Sequence, residues 1–146
     1  MRTQEHGPAW KQTIFHPFAH TARLARGTSL RVEPKGARHE TGQFGEVDSL
    51  DASATWDEQT GDVALFLVNR HPSEPLVVTV DARGFSGLRV RECLRLEDDD
   101  PRRANTAAQP DAVQPQPDPG VQVEGGRLEL RLSPASWTAV ALTSDP

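Results

Sequence analysis

His16 and His20 stand four residues apart, a spacing that places two imidazoles on one helical face and can supply two ligands to a metal. No third ligand follows at a recognisable spacing, and Pro17 distorts the turn between them. Two helix histidines without a metal is the plainer reading. Acid–base chemistry of the glycosidase kind needs two carboxylates on rigid elements about 5–10 Å apart, one acting as proton donor. The candidates are Glu46, Asp48, Asp51, Glu92 and Asp98 to Asp100. Most of them fall in loops or on polar strand faces. Glu92 interrupts an otherwise apolar face, where a buried carboxyl can have a raised pKa, but where a strand edge, a bulge or an arginine partner explains it equally well.

Nucleophilic chemistry has little to work with. Cys93, the single cysteine, falls on the polar side of its strand pattern between Arg91 and Arg95, cations that can favour a thiolate. No cysteine–histidine signature surrounds it, and no Gly-x-Ser-x-Gly, phosphate loop or GxGxxG is present. Sugar stacking would have to come from Trp10, Trp56 and Trp137, since there is no tyrosine. Trp10 belongs to a helical stripe and Trp56 to an apolar strand face, which leaves Trp137 to point outward. The residues alone therefore assign no catalytic, cofactor-binding or metal-ligating position.

The elements that position these groups follow from periodicity. Gly7-Pro8-Ala9 reads as a helix start, and Trp10, Ile14, Phe18 and Ala22 recur every four residues as an apolar stripe. Arg23, Arg26 and Gly27 suit its C-terminus. Pro17 lies inside the pattern and implies a kink or an offsetting partner. From Thr28 the period becomes two. Strands are expected around Leu30–Val32, Leu50–Trp56, Val63–Val68, Leu76–Val80, Leu88–Leu96, Leu128–Leu132 and Trp137–Leu142, with a five-residue loop at Asp57–Gly61 and a turn at Gly125-Gly126. Lys35–Asp48 reads as a polar connection. Asp98–Gln122 carries five prolines and no periodicity, and a stretch of that length is usually functional or disordered. The fold class is mainly β: an antiparallel β-sandwich preceded by one amphipathic helix.

Val63–Val68 and Trp137–Leu142 are apolar on both faces, whereas an ordinary sandwich strand is polar outside. Their outer faces need a cover. One helix can cover one of them, and its own stripe needs burial too, so the chain reads as built to pack against a larger body. The 146 residues fit one domain with an appendage and are too few for a (β/α)₈ barrel of about 250. A net charge of −5 argues against nucleic acid as partner. No apolar run is long enough for a membrane helix, Met1–Lys11 lacks a signal-peptide core, and one cysteine gives no internal disulfide.

Several segments resemble the intracellular α-L-arabinofuranosidases of glycoside hydrolase family fifty-one. Gly7-Pro8-Ala9-Trp10-Lys11-Gln12-Thr13-Ile14-Phe15-His16-Pro17-Phe18 is similar to their GPAWRQTIFYPF segment. Leu65–Arg70 with His71 resembles their LFAVNR strand, Asp99-Asp100-Pro101 with Ala104-Asn105-Thr106 their DDP…ANT loop, and Ser133–Trp137 their closing LPPLSW turn. The resemblance implies a boundary near residue 27, with 1–27 the final loop and helix of a (β/α)₈ barrel and 28–146 the C-terminal β-sandwich. In that family a retaining mechanism uses one Glu as acid/base and another as nucleophile, both on barrel strands upstream of this region. No catalytic residue carries over. The implied role is structural docking on a barrel in cis or in trans, in the cytoplasm, with homo-oligomer formation and an arabinose-containing oligosaccharide as further possible partners and no cofactor. A carbohydrate-binding module, a split enzyme completed in trans and a fragment without function are the competing readings.

Overall fold

Alternation at period two becomes sheet wherever one face finds an apolar partner: six of the seven expected strands form, and the first, expected around Leu30–Val32, is confined to Thr28–Leu30. The computed structural model describes residues 2–3 and 5–144. The N-terminal part contains β1 (Arg2–Thr3), β2 (Ala9–Trp10), α1 (Phe15–Leu24) and β3 (Thr28–Leu30). Then follow β4 (Arg38–Thr41), β5 (Gly45–Asp48), β6 (Leu50–Trp56), β7 (Val63–Asn69), β8 (Leu76–Asp81) and β9 (Leu88–Leu96). The chain closes with β10 (Gln116–Pro117), β11 (Val123–Glu124), β12 (Arg127–Leu132) and β13 (Ser136–Ser144).

Six strands form a large antiparallel sheet in the order β10-β9-β13-β7-β6-β3, and three form a small one, β11-β12-β8. The sandwich core lies between them. Leu128, Leu130 and Leu132 of β12 are at most 1% exposed and meet Val140 and Leu142 of β13 and Val63, Leu65 and Leu67 of β7. The small sheet is narrower than the large one, so β6 and β3 overhang it. A mouth of about 600 Å³ opens there, walled by Leu50, Ala52, Leu76, Val78 and Val80. The expected polar connection at Lys35–Asp48 instead contains the β4–β5 hairpin, zipped by Arg38, which pairs with Glu46 at 2.5 Å and Asp48 at 3.1 Å.

Five readings of the pattern need correction. The helix starts at Phe15, not at Pro8. Ala9 and Trp10 pair with β1, and the Trp10 indole N–H donates to the Asn105 carbonyl at 3.1 Å. Pro17 is thus the third helical residue, in the first turn, where backbone N–H groups have no intrahelical acceptor and its missing donor costs nothing. The inferred kink is not needed. The face turned to the sheet is His16, His20 and Leu24, whereas Ile14 and Phe18 are 62% and 72% exposed and Ala22 is exposed with them. The stripe expected to bury points away.

The strand Leu88–Leu96 does not keep one apolar face either. Ala141 pairs with Glu92 and Leu142 with Val90, so Arg91 is an extra residue, a β-bulge that reverses the alternation. Leu88, Val90 and Cys93 turn into the core, and Glu92 turns outward. Finally, the two-sided strands are covered from within the chain. The outer residues Ala64 and Phe66 of β7 and Ala139 and Ala141 of β13 pack with Leu24 of α1 and with Trp137. These two strands expose no orphaned surface; the outer side of the helix does, through Ile14 and Phe18.

Candidate functional site

The residues singled out for chemistry are dispersed and mostly engaged. Glu46 and Asp48 share Arg38 on the hairpin, Asp51 lies exposed on β6, and Glu92 meets Arg23 of α1 at 2.7 Å. Asp98 faces Arg103 at 3.4 Å. Asp98 and Asp100 do line one groove, but as members of a turn whose carboxylates accept the Asp100 and Arg102 backbone N–H groups and the Arg103 guanidinium, and Glu46, Asp48, Asp51 and Glu92 do not line it. Cys93 is not on the polar face. It is 5% exposed in the core, and burial, helped by Asp118, pushes its thiol up to about 11, which suppresses the reactive thiolate. His16 and His20 do share the inward face of α1, but among the described residues no group of three His, Cys, Asp or Glu could hold a metal ion. Trp137 lies on the outer face of β13, its ring 6.3 Å from that of His20.

What the fold does bring together are the segments of the resemblance. Thr13, Asn69 and Arg70, Asp98, Asp100, Pro101 and Arg103, and Ala135 to Trp137 line one shallow groove of about 460 Å³. Two buried asparagines tie these segments. Asn69 is fully buried at the end of β7. Its side-chain amide donates to the carbonyls of Glu74, Leu132 and Ser133 at 2.8–3.4 Å, and its Oδ1 accepts the His71 backbone N–H at 2.9 Å. In the turn before β13, Ala135 adopts a left-handed φ of 46°, an unusual conformation for a side-chain-bearing residue. Its N–H bonds the His71 carbonyl, and the Ser136 hydroxyl closes the turn on Ser133.

Asn105 performs the second tie. It is 5% exposed, and its side chain makes both bonds of a two-way clasp with the Val113 backbone, at 3.0 and 2.8 Å. Its N–H donates to the Thr13 hydroxyl, and its carbonyl accepts from Trp10. The proline-rich stretch Asp98–Gln122 is therefore ordered. Beyond the clasp, β10 pairs with β9, Arg95 binds Asp118, and the Asp118 N–H bonds the Cys93 carbonyl. Sequence reading missed Asn69 and Asn105 as determinants because a lone Asn carries no periodic signal. Their partners are backbone groups at long separation in the chain, which no local pattern records.

The chemistry of this arrangement is assembly. Its polar groups are spent on bonding segments together, and beside it Ile14 and Phe18 present two large apolar side chains outward, as Phe44 and Val77 do singly elsewhere.

Comparison with known proteins agrees. The family model for the α-L-arabinofuranosidase C-terminal domain matches residues 1–136. An intracellular exo-α-(1→5)-L-arabinofuranosidase of Bifidobacterium longum is 38% identical over 143 residues, covering 94% of this chain and 25% of its own length. A Streptomyces lividans enzyme of the same description is 36% identical over 94% of this chain and 21% of its own length. Among solved structures, a family 51 α-L-arabinofuranosidase from Bifidobacterium longum superposes with a TM-score of 0.87 at 40% identity, covering 94% of this chain and 27% of that one. The family 51 arabinofuranosidase of Xanthomonas axonopodis gives 0.76 at 26% identity, with coverages of 90% and 26%. The chain thus spans about a quarter of the relatives it matches, and the part of them that holds the catalytic domain is absent from it. The chain belongs to the α-L-arabinofuranosidase C-terminal domain family of glycoside hydrolase family 51.

Proposed function

We propose that this chain is a docking module that seats on a catalytic (β/α)₈ barrel through the outward face of α1 and hydrolyses nothing by itself. The barrel belongs to an enzyme acting on arabinose-containing polysaccharide in the cytoplasm, and residues 1–27 are the edge of that barrel carried on the sandwich. One observation carries the reading. Ile14 and Phe18 are 62% and 72% exposed on a helix whose opposite face is already packed against the sheet. Large apolar side chains aligned on one exposed helical face mark an interaction surface. Further support is that the chain matches only about a quarter of the length of its relatives.

The test uses the barrel portion of the Bifidobacterium longum relative, expressed without its own C-terminal quarter. Mixed with this chain, it is expected to form a 1:1 complex in sedimentation velocity and to recover cleavage of 4-nitrophenyl α-L-arabinofuranoside. Ile14→Asp with Phe18→Asp abolishes both. Failure of the wild-type chain to associate, or cleavage by the chain alone, overturns the reading.

A further inference from the structure

We propose that the seam between α1 and the outer face of the large sheet is an acid-released latch, closed while His16 and His20 are neutral and loosened when either takes up a proton. The proposal concerns this chain alone and holds with or without a barrel partner.

Two of the three side chains that α1 turns to the sheet are imidazoles. His16 is 9% exposed, and its Nε2 is buried with no hydrogen-bond partner. The sheet below presents Ala64, Phe66, Ala139, Ala141 and Trp137, none of which can accept a bond from an imidazolium or neutralise it. The charged groups that face the pair come from the neighbouring elements. Lys11, ahead of α1, and His20 itself oppose a charge on His16, and Asp111 of the long loop favours it. For His20, Arg23 opposes and Glu92 of β9 favours, but Glu92 is already paired with Arg23 at 2.7 Å. A proton on His20 therefore meets a carboxylate already paired with Arg23, and a proton on His16 meets burial, Lys11 and His20 against Asp111 alone.

The sign follows from burial. Desolvation is the largest cause in both histidines and pushes both below the ordinary value of 6.5. A depressed histidine contributes docking stability that is fully present above 6.5 and drains away as the pH falls below it. The sandwich core has no such group: its one titratable side chain, Cys93, is held up at about 11. Mild acid therefore opens one seam and leaves the other shut.

Amide hydrogen exchange of the purified chain, corrected for intrinsic rates, tests this. Between pH 7.5 and 5.5 the protection of α1 is expected to fall, by up to about tenfold for each histidine that must stay neutral in the closed seam, while β12 and β13 keep theirs. Loss of protection in α1 and β12 together, or none in α1, overturns the proposal. The double variant His16→Leu with His20→Gln is expected to flatten the α1 profile, and an undiminished fall in it also overturns the latch. If that variant does not fold, NMR titration of the wild-type imidazoles decides: midpoints below 6.5 support the latch, and midpoints at or above 6.5 for both rings defeat it.

Discussion

The large sheet is sealed on both faces, by different means. Its inner face meets β12 through leucines that are at most 1% exposed, with Val140 and Leu142 fully buried. Nothing there titrates near neutral pH. Its outer face meets α1 through small and mixed residues, Ala64, Ala139 and Ala141 under Leu24, with two histidines beside them. The first seam is sandwich packing, whose strength scales with the apolar area removed from water. The second is thinner and partly polar, and it bears a helix whose far side is unsatisfied. The contrast teaches where stability and where association are stored: the inner seam makes the fold, and the outer seam holds α1 in place as a bearing surface.

The sharpest way to break that comparison is to carve a cavity in each seam. Leu130→Ala, at a site 1% exposed, is expected to cost about 3–5 kcal/mol in urea unfolding, as buried leucine truncations do when the site cannot collapse. The next effect tests the ties rather than the packing. Asn69→Asp keeps the shape but sets a carboxylate oxygen against the carbonyls of Glu74, Leu132 and Ser133. About 2–4 kcal/mol is expected from the unsatisfied acceptors and the buried charge, measured the same way. Leu24→Ala in the outer seam is expected to cost less, about 2 kcal/mol, because α1 can shift to close the gap. Its loss is expected to show first in the exchange of α1 amides. If Leu24→Ala destabilises the whole molecule as much as Leu130→Ala, the two seams are one cooperative unit and the contrast fails.

The difference between the seams also decides what could be read from the sequence. The inner seam was legible because Leu128, Leu130 and Leu132 alternate with charged residues, and Leu76, Val78 and Val80 repeat the pattern on β8. Period two is a one-dimensional record of a two-sided strand. The outer seam was only half legible. The double-faced apolarity of β7 and β13 announced a cover, but the choice of helical face did not follow, because Ile14 and Phe18 outweigh His16 and His20 in hydrophobic pattern, while His16 is the one buried and His20 is half-buried. The Arg91 bulge was invisible, since one inserted residue shifts the phase of everything after it and moves Cys93 from the polar face to the core. The Asn105 clasp was invisible because its partners, Thr13, Trp10 and Val113, are joined to it by hydrogen bonds that leave no periodicity.

The smallest expected effect is the most discriminating. Phe18→Ser removes a large apolar side chain from a position 72% exposed, so it leaves no cavity and unpairs no buried group. Stability in urea is expected to stay within about 0.5 kcal/mol of wild type, as for other surface substitutions away from caps and cores. If Phe18 were held by contacts within this chain, the same change would cost stability and show itself in the unfolding curve. If its role is to meet a barrel, the cost appears only when one is supplied, as weaker association in sedimentation with the unfolding curve unmoved. A residue that is silent in the isolated chain and costly in the complex is what separates a bearing surface from a core. Ile14→Ser, at 62% exposure on the same face, is expected to repeat the split. Leu24→Ala, one face around the same helix, inverts it, losing stability first and association only as a consequence.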